Sequence, residues 1–279
     1  MESLTKFVVK NQKVARLKKI LEECGSVLVS FSGGVDSSFL LKAAKDFLGV
    51  ENVLAVIADS FIYPKYELKE AEKLAKKLGV KWKVIKSSEI SNKNFISNPP
   101  NRCYFCKKAL FKELKRISKE EGLNEVIDGT NREDIEGYRP GLKAAGELGI
   151  KSPLNEAGMK KKDIRKFSRK IGLETWNKPS FACLASRFPY GIEITRDRLR
   201  RVEKAERILI SMGFNQLRVR YHVDIARIEV PEQEFLKILK KREEIIQNFK
   251  ELGYNYITLD IEGYRSGSLN EVLGRKNGY

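Results

Sequence analysis

Ser26-Val-Leu-Val-Ser-Phe-Ser32-Gly33-Gly34-Val-Asp36-Ser37 is the stretch on which the fold turns. Its first half, 26–31, is an apolar, β-branched run bounded by Gly25 and Gly33, the pattern of a buried strand. Its second half opens a helix, because from Asp36 to about Phe47 apolar residues recur at helical spacing. Two glycines between strand and helix let the backbone approach an anion closely, and the N–H groups and dipole of a helix start attract one. Ser32 and Ser37 can donate hydroxyls to phosphate oxygens. Asp36 beside a phosphate suits a bound Mg²⁺ or a helix cap. The Gly-Lys-Ser/Thr of a Walker A loop and the Gly-x-Gly-x-x-Gly of a dinucleotide loop are both missing here.

Outward from this point the pattern repeats. Strand-like runs at 53–59, 82–88 and 125–131 alternate with helical segments at 63–79, 104–121, 138–148 and 160–172, and an amphipathic helix is expected over 1–23. Strands alternating with helices predict an α/β fold with a doubly wound parallel sheet, covered on both faces, whose ligand sits at the carboxyl ends of the strands. Beyond about residue 178 the order changes to a helix at 198–213, an antiparallel strand pair at 217–230, a helix at 234–253 and a strand at 256–265. This predicts a first domain over 1–178 and a smaller C-terminal α+β domain over 179–279.

Composition narrows the class. With 42% hydrophobic and 33% charged residues the chain reads as a soluble enzyme. It has no run of about 18 apolar residues, so no membrane partner is expected. Its start is amphipathic and lacks the apolar core of a secretory signal, so a cytoplasmic location is expected. The formal charge of +17 favours anionic partners, but the basic residues are spread along the chain like a Lys/Glu-rich surface, so nucleic acid is not the expected partner. The four cysteines, Cys24, Cys103, Cys106 and Cys183, suit metal or catalysis better than disulfides in such a compartment. Cys24 lies among apolar residues and reads as packing.

The Ser32–Ser37 loop resembles, residue for residue, the signature of PP-loop ATP pyrophosphatases. This implies an adenine nucleotide alpha hydrolase-like fold, in which ATP with Mg²⁺ is cleaved between its α- and β-phosphates and an acceptor oxygen is adenylated. On that resemblance Ser32, Gly33, Gly34, Asp36 and Ser37 hold the phosphates and Asp59 reads the nucleoside. Asp128-Gly129-Thr130-Asn131 forms a second phosphate-facing segment, and Asp134 is a further Mg²⁺ candidate.

Cys103 and Cys106 start a helix, which favours thiolate. One Cys-x-x-Cys pair is an incomplete zinc site, and a redox dithiol or buried inert thiols are the alternatives. A third thiolate from Cys183 would make the three-cysteine set of a [4Fe–4S] cluster with one open iron. The segments Pro179–Gly191, Tyr138–Gly141, Arg218–Arg220 and Gly263–Ser268, with Asp128–Asn131, are similar to the LarE family of ATP-dependent sulfur transferases. Those enzymes build the nickel-pincer cofactor pyridinium-3,5-bisthiocarboxylic acid mononucleotide. The resemblance implies adenylation of a pyridinium carboxylate nucleotide, followed by sulfur displacing AMP. In one branch of that family the cysteine at the Cys183 position surrenders its own sulfur and becomes dehydroalanine; in another, three cysteines hold a cluster. With Cys103, Cys106 and Cys183 present the chain resembles the cluster-bearing branch, and the sacrificial route through Cys183 stays open. The resemblance also implies a substrate-phosphate site of Ser186, Arg218 and Arg265, with Arg187 and Arg220 beside them. It further implies divalent metal at Glu206 and Glu229, a C-terminal domain for substrate and oligomerisation, and a homo-oligomer. Read alone, Arg218 and Arg220 are a basic strand edge, Glu206 and Glu229 are surface carboxylates, and the single histidine, His222, is a packed residue. The competing reading is a PP-loop tRNA thiolation enzyme, which the charge favours and the lack of spare cysteines for zinc modules opposes.

Overall fold

The apolar run after Gly25 folds as β1 (Val27–Ser30), one of the sheet's two interior strands. It pairs in parallel with β2 (Val53–Asp59), Val27 opposite Val53, and with β4 (Glu125–Ile127), Val27 opposite Glu125. On the far side of β2 lies β3 (Lys81–Lys86), also parallel, so the order is β3-β2-β1-β4. The chain moves from β1 out to β3 and then crosses to β4. The reversal therefore falls between β1 and β4, the place where a doubly wound sheet opens a crevice at its carboxyl edge.

Successive β1 residues face opposite layers. Val27 and Val29 join one core with residues of α1 (Gln12–Cys24), α2 (Val35–Leu48), α3 (Lys65–Leu78) and α8 (Lys161–Lys170). Leu28 joins a second core with Leu54, Val56 and the Phe111, Leu114 and Ile117 face of α5 (Arg102–Glu120). The short α-helices α4 (Lys93–Ile96), α6 (Pro140–Glu147) and α7 (Pro153–Glu156) are the others among the described residues before residue 171.

This computed structural model describes residues 2–136, 138–179, 182–265 and 267–274. Ser180, Phe181 and Ser266, quoted above within longer motifs, lie outside the described residues. The chain divides into two units, Met1–Phe95 with Pro100–Phe181, and Ile96–Pro99 with Ala182–Tyr279. Residues 96–99, which the pattern along the chain leaves in the first domain, are thus built into the second. Asn98 explains this: its side-chain amide donates to the carbonyls of Pro189 (2.7 Å) and Ile192 (3.0 Å), and its own carbonyl accepts from Gly191 N–H (3.0 Å).

The second unit contains α9 (Arg196–Ser211), β5 (Arg218–His222), β6 (Ile225–Glu229), α10 (Phe235–Lys240), α11 (Arg242–Glu251), β7 (Tyr256–Leu259) and α12 (Glu271–Gly274). Its mixed sheet has the order β5-β6-β7, the first pair antiparallel and the second parallel. Leu199, Val202 and Leu209 of α9 pack with Phe188, Tyr221, Phe249 and Tyr254 as its core.

Several elements differ from expectation, among them the strand expected over 125–131, which ends at Ile127. The first helix begins only at Gln12, because the Asn11 side chain accepts from the N–H groups of Lys13 and Val14 and caps it there. β3 is an edge strand with mostly exposed residues, so the sheet is not covered throughout. The long C-terminal helix breaks at Lys241 into α10 and α11. The last strand stops at Leu259, after which Asp260 accepts from Gly263 N–H in a turn. Among the described residues no helix is long and apolar enough to cross a membrane.

Candidate active site

The loop between β1 and α2 is already shaped for an anion. Gly33 sits at φ +70°, and a Cβ there would lie 2.9 Å from Ala71 Cβ, so both conformation and space require glycine. Gly34 begins α2 without a side-chain cap, leaving that helix start for a ligand. Ser32 and Ser37 share a 3.0 Å hydroxyl contact, and Ser37 Oγ donates to Gly34 O at 3.3 Å. After β4, Gly129 presses against the same helix start, where an added Cβ would stand 3.0 Å from Ser37 N. The two segments nominated for phosphate therefore meet at the switch between β1 and β4.

Asp36 carries the charge logic of this edge. One of its oxygens pairs with Lys161 at the start of α8, and the other, Oδ1, is buried without a hydrogen-bond partner. Burial pushes the Asp36 carboxyl up, and the Lys161 ammonium pulls it partway back down. An orphaned carboxylate oxygen beside an anion cradle suits a cation such as the Mg²⁺ that accompanies ATP. Asp134 binds Asn131 Nδ2 (2.6 Å) and faces Arg139 (3.5 Å). Thr130 is held by Asp128, whose other contact is Ser152 Oγ at 2.8 Å. Asp59, at the end of β2, pairs with Lys65.

Three features of this edge escaped the sequence reading. Lys161 was hidden in a lysine run, and only tertiary folding shows which of its members turns inward. Lys178 donates to Glu67 (2.6 Å) and Glu70 (2.8 Å) and approaches Gly33 O at 3.5 Å. Glu89 is buried and accepts from the hydroxyls of both Ser60 and Ser87, tying the loops after β2 and β3 together.

In the second unit the five residues nominated for substrate phosphate form one network. Arg187 donates to Glu206 from Nε (2.7 Å) and Nη2 (3.1 Å), and to Ser186 Oγ at 2.8 Å. Arg220 makes the same fork on Glu229 (2.7 and 3.0 Å), and reaches Ser186 O (2.6 Å) and Ser268 Oγ (2.6 Å). Arg218 donates to Arg265 O (3.0 Å) and Tyr264 Oη (3.1 Å), with its guanidinium 4.5 Å from the Tyr264 ring centre. Arg265 is matched by Glu262 and Glu271.

The network separates the arginines by their partners. Burial alone would lower the Arg187 pKa, but Glu206 more than offsets this and keeps the guanidinium charged. Arg218 is also buried but has no carboxylate partner among the described residues. Burial pushes its pKa down, and the nearby Arg220 and Arg187 add to that against the pull of Tyr264. A buried cation with no ion-pair partner of its own among the described residues, acted on by the Glu229 charge without pairing to it, is the member of this set best fitted to take an anion. The divalent-metal role expected of Glu206 and Glu229 meets an obstacle here. Glu206 is held by Arg187 and Val219 N–H (3.0 Å), Glu229 by Arg220 and Arg227 (3.1 Å), so neither presents an open pair of oxygens.

Cys103 and Cys106 lie one turn apart on the first turns of α5, the former exposed and the latter half-buried. Cys183, half-buried, directly precedes a turn of 3₁₀ helix at Leu184–Arg187. Cys24 is buried, and burial raises its thiol pKa against Lys151. His222 ends β5 with Nε2 buried and unbonded, and burial lowers its pKa. Within neither unit do three His, Cys, Asp or Glu side chains among the described residues gather as a metal site.

A parallel sheet whose switch point carries an uncapped Ser-Gly-Gly-Val-Asp-Ser loop defines an ATP-dependent enzyme of the PP-loop pyrophosphatase class. Residues 9–100 match the NAD synthase family model. Over 261 residues the chain is 40% identical to the pyridinium-3,5-bisthiocarboxylic acid mononucleotide synthase of Lactiplantibacillus plantarum, covering 94% of this chain and 95% of that protein. The chain belongs to that protein's family, the LarE family of ATP-dependent sulfur transferases. It is also 42% identical over 263 residues to an uncharacterized protein of Synechocystis sp. (94% of this chain, 98% of the relative). An uncharacterized Methanocaldococcus jannaschii protein matches at 32% over 258 residues, with 91% and 98% covered.

Proposed function

We propose that this enzyme adenylates a carboxylate of a pyridinium biscarboxylic acid mononucleotide and then replaces one of its oxygens with sulfur. The observation that carries the reading is the anion cradle at Ser32–Ser37; within the second unit, a buried Arg218 with no ion-pair partner among the described residues supports it. The cradle takes the β- and γ-phosphates of ATP, and Asp36, whose Oδ1 is buried without a hydrogen-bond partner, would hold the accompanying Mg²⁺, which when bound would offset the phosphate charge. A substrate carboxylate oxygen attacks the α-phosphorus, pyrophosphate leaves, and an acyl adenylate forms. A sulfur nucleophile then attacks the acyl carbon, and AMP departs carrying the carboxylate oxygen. Arg218, Ser186 and Arg265 hold the substrate's phosphate, with Arg187 and Arg220 shaping the site through their glutamates.

Cys103, Cys106 and Cys183 would hold a [4Fe–4S] cluster, which when bound supplies an open iron able to carry the sulfur. The donor chemistry fits: a helix-start pair that favours thiolate and a third cysteine beside the Ser186–Arg187 network. The second unit is proposed as the substrate and oligomerisation domain of a cytoplasmic homo-oligomer.

Anaerobic reconstitution with iron and sulfide, followed by iron quantitation in wild type and Cys103→Ala, tests the sulfur route. AMP and pyrophosphate release is measured alongside, with the mononucleotide as substrate. About four irons per chain, lost in the variant, together with mononucleotide-dependent AMP, is the expected result. Dehydroalanine at Cys183 without iron would replace the cluster by the sacrificial route. AMP formation with tRNA and none with the mononucleotide would overturn the substrate.

A further inference from the structure

Lys178 lies far from the phosphate loop in sequence, yet folding brings its ammonium to that loop's first glycine carbonyl. Its Nζ sits among Gly33 O (3.5 Å), Glu67 Oε2 (2.6 Å) and Glu70 Oε2 (2.8 Å), with only 17% of the side chain exposed. Burial lowers the Lys178 pKa, but the two carboxylates prevail and the net direction is up. The backbone around it is fastened too: Arg165 of α8 donates to the carbonyls of Trp176 (2.7 Å) and Lys178 (2.8 Å).

The consequence runs through one peptide plane. In a trans peptide the carbonyl and the following N–H point in opposite directions. An ammonium drawing Gly33 O toward α3 therefore turns Gly34 N–H away from α3, to the side where it approaches Ser32 Oγ at 3.4 Å. That N–H donates to Ser32 Oγ at the helix start, where an anion would compete with the hydroxyl for it. The orientation of this peptide is set by ψ of Gly33 and φ of Gly34, both soft at glycine, so an external clamp can select it.

We propose that Lys178 is a positioning residue for pyrophosphate: by holding Gly33 O it aims Gly34 N–H into the phosphate cradle. The inference rests on the reading of Ser32–Ser37 as a pyrophosphate loop.

Calorimetric titration of wild type, Lys178→Met and Lys178→Arg with magnesium pyrophosphate, and separately with adenosine, tests it. Lys178→Met is expected to weaken pyrophosphate binding about tenfold, the value of one well-aimed hydrogen bond to a charged group. Adenosine affinity should be unchanged, and Lys178→Arg should recover most of the loss. Unaltered pyrophosphate affinity in Lys178→Met would overturn the proposal, and so would a parallel loss of adenosine binding, which marks a merely structural lysine. Failure of the wild type itself to bind pyrophosphate would instead sink the reading of the loop.

Discussion

Replacing Glu206 by Gln removes one charge from a pair whose side chains are 3% and 4% exposed, while keeping the shape of the site. Glu206 accepts two hydrogen bonds from Arg187 (2.7 and 3.1 Å) and one from Val219 N–H (3.0 Å), so the amide cannot satisfy all three donors. The Arg187 guanidinium would be left buried without a counter-ion. Breaking a buried pair from one side costs about 3–5 kcal/mol, which is roughly two to three and a half decades in the opening equilibrium. Hydrogen exchange read by mass spectrometry suits this, because amides of β5 and β6 should exchange at least about a hundredfold faster while those of β1 and β2 do not change. The double variant Arg187→Met/Glu206→Met should recover most of the loss, since replacing both members apolar for ionic is close to neutral. Equal exchange in wild type and Glu206→Gln would refute the reasoning. So would divalent metal slowing β5 exchange in wild type but not in the variant, because Glu206 would then be a ligand.

Lys161→Met leaves Asp36 buried without its counter-ion. Because burial raises the Asp36 pKa, stability falls as pH rises through its titration from the ordinary aspartate range upward, and in wild type Lys161 limits that fall. The variant should lose about 1–2 kcal/mol at pH 7, a partial cost because both side chains keep some exposure, and less than half of that at pH 4. Urea midpoints followed through Trp82 and Trp176, both in the first unit, measure it, and an equal loss at the two pH values would count against the pairing. Arg218→Met should reduce AMP or inorganic phosphate binding at the second unit by roughly ten- to a hundredfold, from lost charge-assisted hydrogen bonds. The same variant should hold or gain stability, since it removes a buried cation without a carboxylate; unchanged phosphate affinity would move the site elsewhere.

The phosphate loop was legible because its chemistry is local. Strand, two glycines, serines and helix start are contiguous, and the backbone geometry that binds an anion follows from their order. The parallel sheet was legible for a similar reason, since alternating apolar runs and helical stretches admit few arrangements. Only the tertiary structure decided what depends on partners distant in sequence. Lys161 and Lys178 look like any other lysines until α8 and the segment after it carry them to Asp36 and Gly33. Residues 96–99 join the second unit because Asn98 finds carbonyls some ninety residues on. Glu206 and Glu229, indistinguishable in sequence from surface carboxylates, prove to be buried counter-ions of Arg187 and Arg220. That pairing singles out Arg218 as the arginine left for an anion, because a buried charge is defined by what neutralises it, and neutralisation is a property of three-dimensional neighbours rather than of chain order.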